Sequence, residues 1–236
     1  MPNPKISVVV PAFNEEKSIA ACLQELTTTL PADTEFLVVD GGSDQTAPIV
    51  RQAEAKDSRI RYCKNVGDRG KGHAIRTGIA LARGDIIAFF DADLQFFSHD
   101  LLKLAEFLLE GHADVAIGSR FHPESPKDVK ASLVRNCGNW LVSAYLSLLY
   151  GQRVTDALAG VKALTREAAG RIDLQSDSFE YEVEIIAKSL RHKLHLSELT
   201  IGTRNRAAGN SKVSVFQVGA RILFAITRFR FERANP

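Results

Sequence analysis

The chain has 236 residues, of which 45% are hydrophobic and 25% are charged, and this length and composition suit one compact domain with a sizeable core. The formal net charge of +2 gives no case for a nucleic-acid partner, although the C-terminal segment is basic. No uncharged apolar run reaches the ~18 residues that a membrane-spanning helix needs. Three cysteines without a CxxC pair or a preceding signal peptide indicate packing residues in a reduced, cytoplasmic compartment.

The N-terminal half alternates apolar strands with helical patterns, as a parallel sheet of βαβ units does. Strands are predicted over residues 6–10, 36–39, 60–63, 85–90 and 115–118, and helices over 15–30, 47–55, 73–82 and 100–109. We expect residues 11–14 to turn out of the first strand and Asp44 to cap the second helix. The glycines at 67, 70 and 72 predict a flexible loop. No internal repeat or low-complexity linker indicates a second domain.

Asp91, Ala92 and Asp93 form a DxD triplet directly after the predicted strand at 85–90. Open α/β sheets bind ligands just outside the carboxyl ends of their strands. Two carboxylates held this closely repel each other unless a hard divalent cation neutralises them, and such a cation also takes oxygen ligands from a diphosphate. Gln95 offers an amide oxygen on the same side of an extended segment. The alternative is a solvated turn with helix-capping acids, but the position at a strand end favours a cation site.

A series of motifs covers about residues 5–215 in a specific order: VVVPAFNEE, VVDGGSDQT, GKGHAIRTGIALARGD, DADLQ, IGSRF, TDALAGVKALTRE, FEYEVEIIAKSL and RAAGNSK. In this order the chain resembles the inverting glycosyltransferase family 2, and within it the dolichol- and polyprenyl-phosphate mannosyl or glucosyl synthases. The resemblance implies a GT-A fold, which is a Rossmann-like, nucleotide-binding mixed sheet flanked by helices. We assign residues 1–212 to this single domain and residues 213–236 to a basic amphipathic C-terminal segment.

The resemblance also implies roles for individual residues. Nucleotide-sugar contacts fall on Pro11, Phe13, Glu15, Asp40, Asp91, Ala92, Asp93, Arg120, Arg206 and Lys212. A Mg²⁺ or Mn²⁺ ion falls on Asp91, Asp93 and Gln95, and the catalytic positions are Asp93, Arg120 and Arg135. Lys71, in the glycine loop, is a further candidate neighbour of a phosphate.

The chain departs from many family members at two places. Gly41 follows Asp40 where a second aspartate is common, and this puts local contacts to the donor base in doubt. Phe96-Phe97-Ser98 replaces a proline-rich stretch after the DxDxQ element, next to the predicted metal site.

Arginines suit a reaction in which a phosphate acceptor must sit beside a departing diphosphate, because a guanidinium makes bidentate, charge-assisted contacts. Arg120 follows a strand, and Arg135 opens the next apolar segment. A phosphate monoester ionises near pH 6, so its oxygen is already a nucleophile and no general base is required. Asp156 is the reserve candidate for a base, although the residue type and position favour a loop acid or helix cap.

Two apolar segments suit a membrane surface. Residues 133–150 contain Trp140 and two tyrosines, and residues 213–231 mix bulky apolar side chains with three arginines. Basic amphipathic helices of this kind bind anionic interfaces. Packing on the sheet or on a membrane-anchoring subunit is the open alternative for the second segment. We expect peripheral attachment to the cytoplasmic face of a membrane.

The leading hypothesis is a metal-dependent enzyme that moves mannose or glucose from a GDP- or UDP-linked donor to polyprenyl or dolichyl phosphate, with inversion. A second hypothesis keeps the donor but uses a hydroxyl of a glycan or a small molecule, which requires a base. A third is a catalytically silent nucleotide-sugar-binding subunit, and the intact DxDxQ element argues against it.

Overall fold

The computed structural model describes residues 4–121, 133–204 and 215–232. The strands are β1 (Ile6–Ala12), β2 (Thr34–Asp40), β3 (Ile60–Lys64), β4 (Ile86–Phe89), β5 (Val115–Ser119), β6 (Lys162–Thr165) and β7 (Leu196–Thr200). The helices are α1 (Ile19–Thr29), α2 (Thr46–Glu54), α3 (Lys71–Leu81), α4 (Ser98–Leu109), α5 (Leu133–Tyr150), α6 (Arg166–Ile172), α7 (Tyr181–Arg191) and α8 (Val215–Phe231).

The seven strands form one mixed sheet in the order β3-β2-β1-β4-β6-β5-β7. β1 is parallel to both β2 and β4, β6 is antiparallel to β4 and β5, and β7 is parallel to β5. Phe89 of β4 and Ile117 of β5 both lie level with Lys162 of β6. Strands β4 and β5 therefore point the same way, about 10 Å apart across two inter-strand spacings. This mixed sheet with helices on both faces confirms the predicted fold class.

Alternate side chains of the central strands divide the core into two layers. On one face the sheet packs against α3 and α5 to α8, and on the other against α1, α2 and α4. In β1, Val9 belongs to the first layer, while Val8 and Val10 belong to the second. Every residue of β2 is buried, as expected of a parallel strand covered on both faces.

Several predicted boundaries differ from those of the structure, and three of the differences have a clear cause. β1 continues through Pro11 to Ala12, because the parallel pairing with β2 extends that far. α1 begins only at Ile19, because the N–H of Ser18 bonds the carbonyl of Glu15 at 3.0 Å and residues 15–18 form a turn. The glycine loop is shorter than predicted, since α3 already begins at Lys71.

Helix α8 packs along one side on the core. Ile226 and Phe229 are 0% and 1% exposed, and the hydroxyl of Tyr145 on α5 lies 2.7 Å from that of Thr227. Arg191 of α7 donates to the carbonyl of Phe229 at 2.8 Å. The opposite side of α8 exposes Phe224 and other residues to solvent. Within the described ranges, no helix has the length and apolar character needed to cross a bilayer.

The cysteines are free, and only part of their predicted role is confirmed. Cys22 is buried in the core, and Cys63 is half-buried. Cys137 is exposed on α5, so the prediction that it packs in the interior was wrong.

Candidate active site

The carboxyl ends of the parallel strands bring most of the described candidate residues to one edge of the sheet. β1 is the point where the strand order changes direction, because β2 and β3 lie on one side of it and β4 on the other. In open α/β sheets the ligand crevice lies at such a switch point. Val9 is level with Phe89, so the segment after β1 and the DxD triplet after β4 flank this crevice.

The carboxylate of Asp91 is held by Lys71 from the start of α3. The ammonium lies 2.7 Å from one oxygen and 2.9 Å from the other, and each side chain keeps 20% of its surface exposed. Burial raises the pKa of Asp91, the nearby Asp93 adds to this rise, and Lys71 opposes it. The two aspartates therefore repel each other as the sequence predicted, and a lysine supplies part of the compensating charge.

Lys71 is fixed by close packing around the first turn of α3. Gly70 has φ of 124°, a region that favours glycine. A Cβ on Gly72 would lie 2.4 Å from the carbonyl oxygen of Ser176, so a larger side chain would separate the helix from the 173–180 loop. The N–H of His73 donates to the carbonyl of Asp177 at 3.0 Å. These contacts explain the two glycines that flank Lys71.

A buried charge cluster lies behind this lysine. Glu182 of α7 is 3.7 Å from the Lys71 ammonium, and its other oxygen pairs with Lys162, whose side chain is fully buried. The hydroxyl of Tyr181 also donates to Glu182. Burial alone would raise the pKa of Glu182, but the ammonium groups of Lys162 and Lys71 outweigh it and lower the pKa. Two cations and two carboxylates thus extend from the core to the exposed edge.

The segment after the triplet turns sharply. Leu94 has φ of 61°, and Oδ1 of Asp93 accepts a hydrogen bond from the N–H of Gln95 at 3.0 Å. A Cβ on Gly160 would lie 2.8 Å from Oδ2 of Asp91, so this glycine gives the carboxylate room. The turn keeps Asp93 and Gln95 on one short piece of chain beside the crevice.

The oxygen donors of Asp91, Asp93 and Gln95 fit a hard divalent cation by their chemistry. Within residues 4–121, 133–204 and 215–232, no group of three His, Cys, Asp or Glu side chains has the arrangement of a metal site. A cation at this edge would therefore need further oxygens from water or from a diphosphate. Asp91 also contacts Lys71, so a bound cation would share this carboxylate with the ammonium.

The other predicted nucleotide contacts lie along β1, β2 and the loops that follow them. Phe13 is 49% exposed, and the carboxylate of Glu15 accepts from the hydroxyl of Ser18 at 2.7 Å. Asp40 is 1% exposed; its carboxylate accepts from the Gly42 N–H at 2.8 Å and from the Tyr62 hydroxyl at 3.2 Å. Asp40 thus organises the loop after β2. Asp44 accepts from the N–H of Thr46, the first residue of α2, at 3.0 Å. The N-cap position is Gln45, whose side chain makes no capping hydrogen bond, so Asp44 contacts the start of the helix from one residue before the cap.

Arg120 follows β5 and is held rigidly by Asp156. Its Nε and Nη2 donate to the two carboxylate oxygens at 2.7 Å and 2.8 Å, and its main-chain N–H donates to the same group at 3.0 Å. Burial lowers the pKa of Arg120, but the bonds to Asp156 outweigh this effect and the pKa is raised. About a third of the arginine side chain, 32%, stays exposed. The guanidinium is thus charged and oriented at the edge of the sheet.

Asp156 is fully buried, and the loop that carries it is tied to β7. The carboxylate of Glu198 accepts the N–H groups of Thr155 and Asp156 at 2.9 Å and 3.0 Å. The carboxylate of Asp156 anchors Arg120, and these contacts do not support the role of a general base for Asp156. Its alternative interpretation, a structural loop acid, describes the observed geometry.

Three predicted positions fall outside the described structure. Arg135 is in the first turn of α5, but its side chain is not described, and Arg206 and Lys212 lie within residues 205–214. Their roles stay predictions.

Sequence reasoning missed the residues that support the site from behind. Lys162, Glu182, Glu198 and Arg204 are distant from the DxD triplet along the chain, and no spacing rule pairs them with it. The only available signal was the presence of charged residues in otherwise apolar strand and helix patterns.

Comparisons with known proteins agree with this arrangement. The sequence profile of glycosyl transferase family 2 matches residues 7–169. An uncharacterized protein of Methanocaldococcus jannaschii is 37% identical over 94% of this chain and 90% of its own length. The human dolichyl-phosphate beta-glucosyltransferase is 31% identical over 97% of this chain and 76% of its own length.

Other similar proteins are longer. The glycosyltransferase AglD of Haloferax volcanii is 30% identical, and the match spans 93% of this chain but 36% of that protein. Among solved structures, glucosyl-3-phosphoglycerate synthase of Mycobacterium tuberculosis, in complex with Mn²⁺, UDP and glucosyl-3-phosphoglycerate, superposes with a TM-score of 0.71. The match covers 98% of this chain and 81% of that one at 23% identity, which bears on the fold alone. The profile match and the identities over nearly the whole chain show that this protein belongs to glycosyl transferase family 2.

Proposed function

We propose that the protein transfers a hexose, glucose or mannose, from a UDP- or GDP-linked donor to dolichyl or polyprenyl phosphate, with inversion at the anomeric carbon. The observation that carries this proposal is that a DxD triplet after β4 and an anchored arginine after β5 lie at the same edge of the sheet. The similarity to a dolichyl-phosphate beta-glucosyltransferase supports the same substrate class.

The donor is assigned to the crevice between β1 and β4. Pro11, Phe13, Glu15 and Asp40 would contact the base and ribose, and Asp91, Ala92 and Asp93 the ribose and diphosphate. Lys71 lies within 3 Å of Asp91, so its ammonium is well placed to share a diphosphate charge. A guanidinium at Arg206 and an ammonium at Lys212 are assigned to the same anion.

The acceptor phosphate is assigned to Arg120 and Arg135. One ionised phosphate oxygen attacks the anomeric carbon, the bond from that carbon to the nucleotide diphosphate breaks, and the nucleoside diphosphate leaves with the electron pair. No proton has to be removed, because the acceptor is already an anion. Asp156 is committed to Arg120, and this favours a phosphate acceptor over a hydroxyl acceptor, which needs a base.

A Mg²⁺ or Mn²⁺ ion is assigned to Asp93 and Gln95, with Asp91 as a further ligand. Such an ion, when bound, stabilises the charge of the departing diphosphate. The protein's own contribution is to hold the carboxylate, the amide and the Lys71 ammonium around one position at the crevice.

The lipid acceptor implies a membrane surface, and α5 and α8 provide candidate contacts. Trp140 is 70% exposed and Leu148 84%, while Phe224 and Phe231 on α8 are 71% and 72% exposed. Arginines next to exposed aromatic side chains suit an anionic interface. We assign these helices to peripheral contact with a cytoplasmic membrane face, or with a membrane-anchoring subunit.

A thermal-shift screen tests the donor assignment. A ligand at a hundred times its Kd stabilises the folded state by about 2.7 kcal/mol, which raises the Tm of a domain of this size by roughly 5–11 °C. We expect such a shift with UDP-glucose or GDP-mannose plus Mn²⁺, and a smaller shift without the metal. Equal, negligible shifts with every nucleotide sugar would contradict the donor site.

A further inference from the structure

Arg204, four residues after β7, binds the turn that follows the DxD triplet. Its main-chain N–H donates to the carbonyl of Gln95 at 2.9 Å. Its Nε donates to the carbonyl of Leu94, and its Nη2 to that of Phe96 at 3.2 Å. One residue thus satisfies three consecutive carbonyl groups of an irregular segment.

These contacts matter because the turn is not self-supporting. Leu94 has φ of 61°, in the left-handed region that is strained for a non-glycine residue. Main-chain carbonyls outside helices and strands need partners from elsewhere. A planar guanidinium with a fixed fork of donors can bind two carbonyl groups at once, whereas an ammonium is a single point of contact.

Arg204 is itself oriented from two sides. Its Nη2 pairs with the carboxylate of Glu25 on α1, and the same carboxylate accepts the N–H of Ser98, at the start of α4, at 2.9 Å. The guanidinium also lies over the ring of Phe97, 4.8 Å from its centroid. The contacts of Arg204 with Glu25 and Phe97 thus connect α1, the segment after β7 and the DxDxQ turn. The pair Phe96-Phe97, in which the sequence departs from many family members, is part of this joint.

We infer that Arg204 is a positioning residue, which sets the 94–96 turn so that Asp93 and Gln95 present their oxygens to a metal-bound nucleoside diphosphate. The inference rests on the proposed function for the identity of the ligand. It assigns no contact with substrate to Arg204, which acts through the turn. Loss of the arginine should therefore weaken metal and nucleotide binding without removing any ligand atom.

The test measures Mn²⁺ binding by electron paramagnetic resonance in the presence of UDP or GDP, with melting curves in parallel. Residues that orient metal ligands from the next layer typically change metal affinity by about 10- to 100-fold, and we expect a loss in this range for Arg204→Met. Arg204→Lys keeps the charge and the aliphatic stem but cannot span two carbonyls, so it should recover little of the affinity. If Arg204→Met does not fold, the Mn²⁺ affinity of Arg204→Lys provides the test.

Arg191→Met is the matched control. Arg191 also binds two main-chain carbonyls, those of Phe229 at 2.8 Å and Glu232 at 2.7 Å, but at the junction of α7 and α8. This variant should lose thermal stability and keep the wild-type Mn²⁺ affinity. Wild-type Mn²⁺ affinity in folded Arg204→Met, or an equal loss of affinity in Arg191→Met, would overturn the inference.

The readout separates this inference from the proposed function, because it requires only Mn²⁺ and a nucleotide. If the wild type binds Mn²⁺ with UDP or GDP but never glycosylates dolichyl phosphate, the proposed acceptor is wrong and the role of Arg204 is still tested. If the wild type binds no Mn²⁺ with either nucleotide, both fail.

Discussion

The buried ion pair between Lys162 and Glu182 should be separable into a contribution to stability and a contribution to transfer. Lys162 is fully buried, and the described contacts of its ammonium are Glu182 and the carbonyl of Ala159. Lys162→Met leaves the Glu182 carboxylate, 5% exposed, without its main partner. Breaking a buried pair in this way costs about 3–5 kcal/mol.

The lower end of that range applies, because the Lys71 ammonium remains 3.7 Å from Glu182 and Tyr181 still donates to it. A loss of about 3 kcal/mol should lower the Tm of a domain of this size by roughly 6–12 °C. In the double variant Lys162→Met with Glu182→Gln, no buried charge is left without a partner, and most of the stability should return. Transfer should not return, since Lys71 has lost the second carboxylate that positions it beside Asp91.

Melting curves and initial rates per folded molecule test this prediction on the two variants. Glu35→Gln is the matched control, because Glu35 is a buried, ion-paired carboxylate at the start of β2. It lies at the amino end of this strand, opposite the end that carries the candidate site. This variant should lose stability and keep its turnover. Recovery of both stability and transfer in the double variant would instead show that the pair is purely structural.

Further predictions concern the metal, acid stability, the phosphate contacts and the membrane face. Asp93→Ala should abolish transfer and Mn²⁺ binding with an unchanged melting curve; near-normal activity in the folded variant would contradict the metal assignment. Burial would raise the pKa of Glu35, but bonds from Ser7, Arg83 and Arg61 outweigh it and lower the pKa. Its stabilisation is therefore present above the unfolded-state pKa of about 4.3 and is lost as pH falls through the lower folded-state value, so Glu35→Gln should flatten acid-induced unfolding between these values. Arg135→Ala should impair acceptor use more than donor binding and Lys212→Ala the reverse, as titration with the nucleotide sugar would report. Phe224→Ser with Phe231→Ser should reduce co-sedimentation with anionic vesicles and leave the Tm unchanged. Val66→Ser, the exposed control, should leave both vesicle binding and the Tm unchanged. Truncation after Lys212 should lower the Tm, because α8 packs in the core.

The central part of the fold could be predicted because its signals are local. β4 is an apolar run that ends at Asp91, and the alternation of strands with amphipathic helices predicted β1 to β5 and their intervening helices. The family motifs added the mixed sheet. β6 and β7 were missed, since neither is a continuous apolar run: β6 contains Lys162 and β7 contains Glu198.

Boundaries were less accurate where tertiary contacts decide them. Pro11 stays in β1 because β2 pairs alongside it, and Lys71 starts α3 because Gly70 and Gly72 dock on the 173–180 loop. The sequence does not encode these neighbours at any fixed spacing.

The candidate site divides in the same way. The DxD triplet and Arg120 could be predicted, because each directly follows a strand and carries recognisable chemistry. The partners that orient them could not be predicted, because Asp156, Glu182 and Arg204 reach the site through folding of the whole sheet. Asp156 illustrates the difference: its sequence context allowed a base, whereas its burial and its three bonds to Arg120 indicate an anchor.

The most direct measurement is product analysis by mass spectrometry after incubation of the purified protein with dolichyl phosphate, Mg²⁺ or Mn²⁺, and either UDP-glucose or GDP-mannose. We expect a hexosyl-phosphoryl dolichol with the anomeric configuration opposite to that of the donor, formed by the wild type and not by Asp93→Ala. Retention of configuration, transfer only to a hydroxyl acceptor, or no lipid product from protein that binds the nucleotide sugar would contradict this expectation.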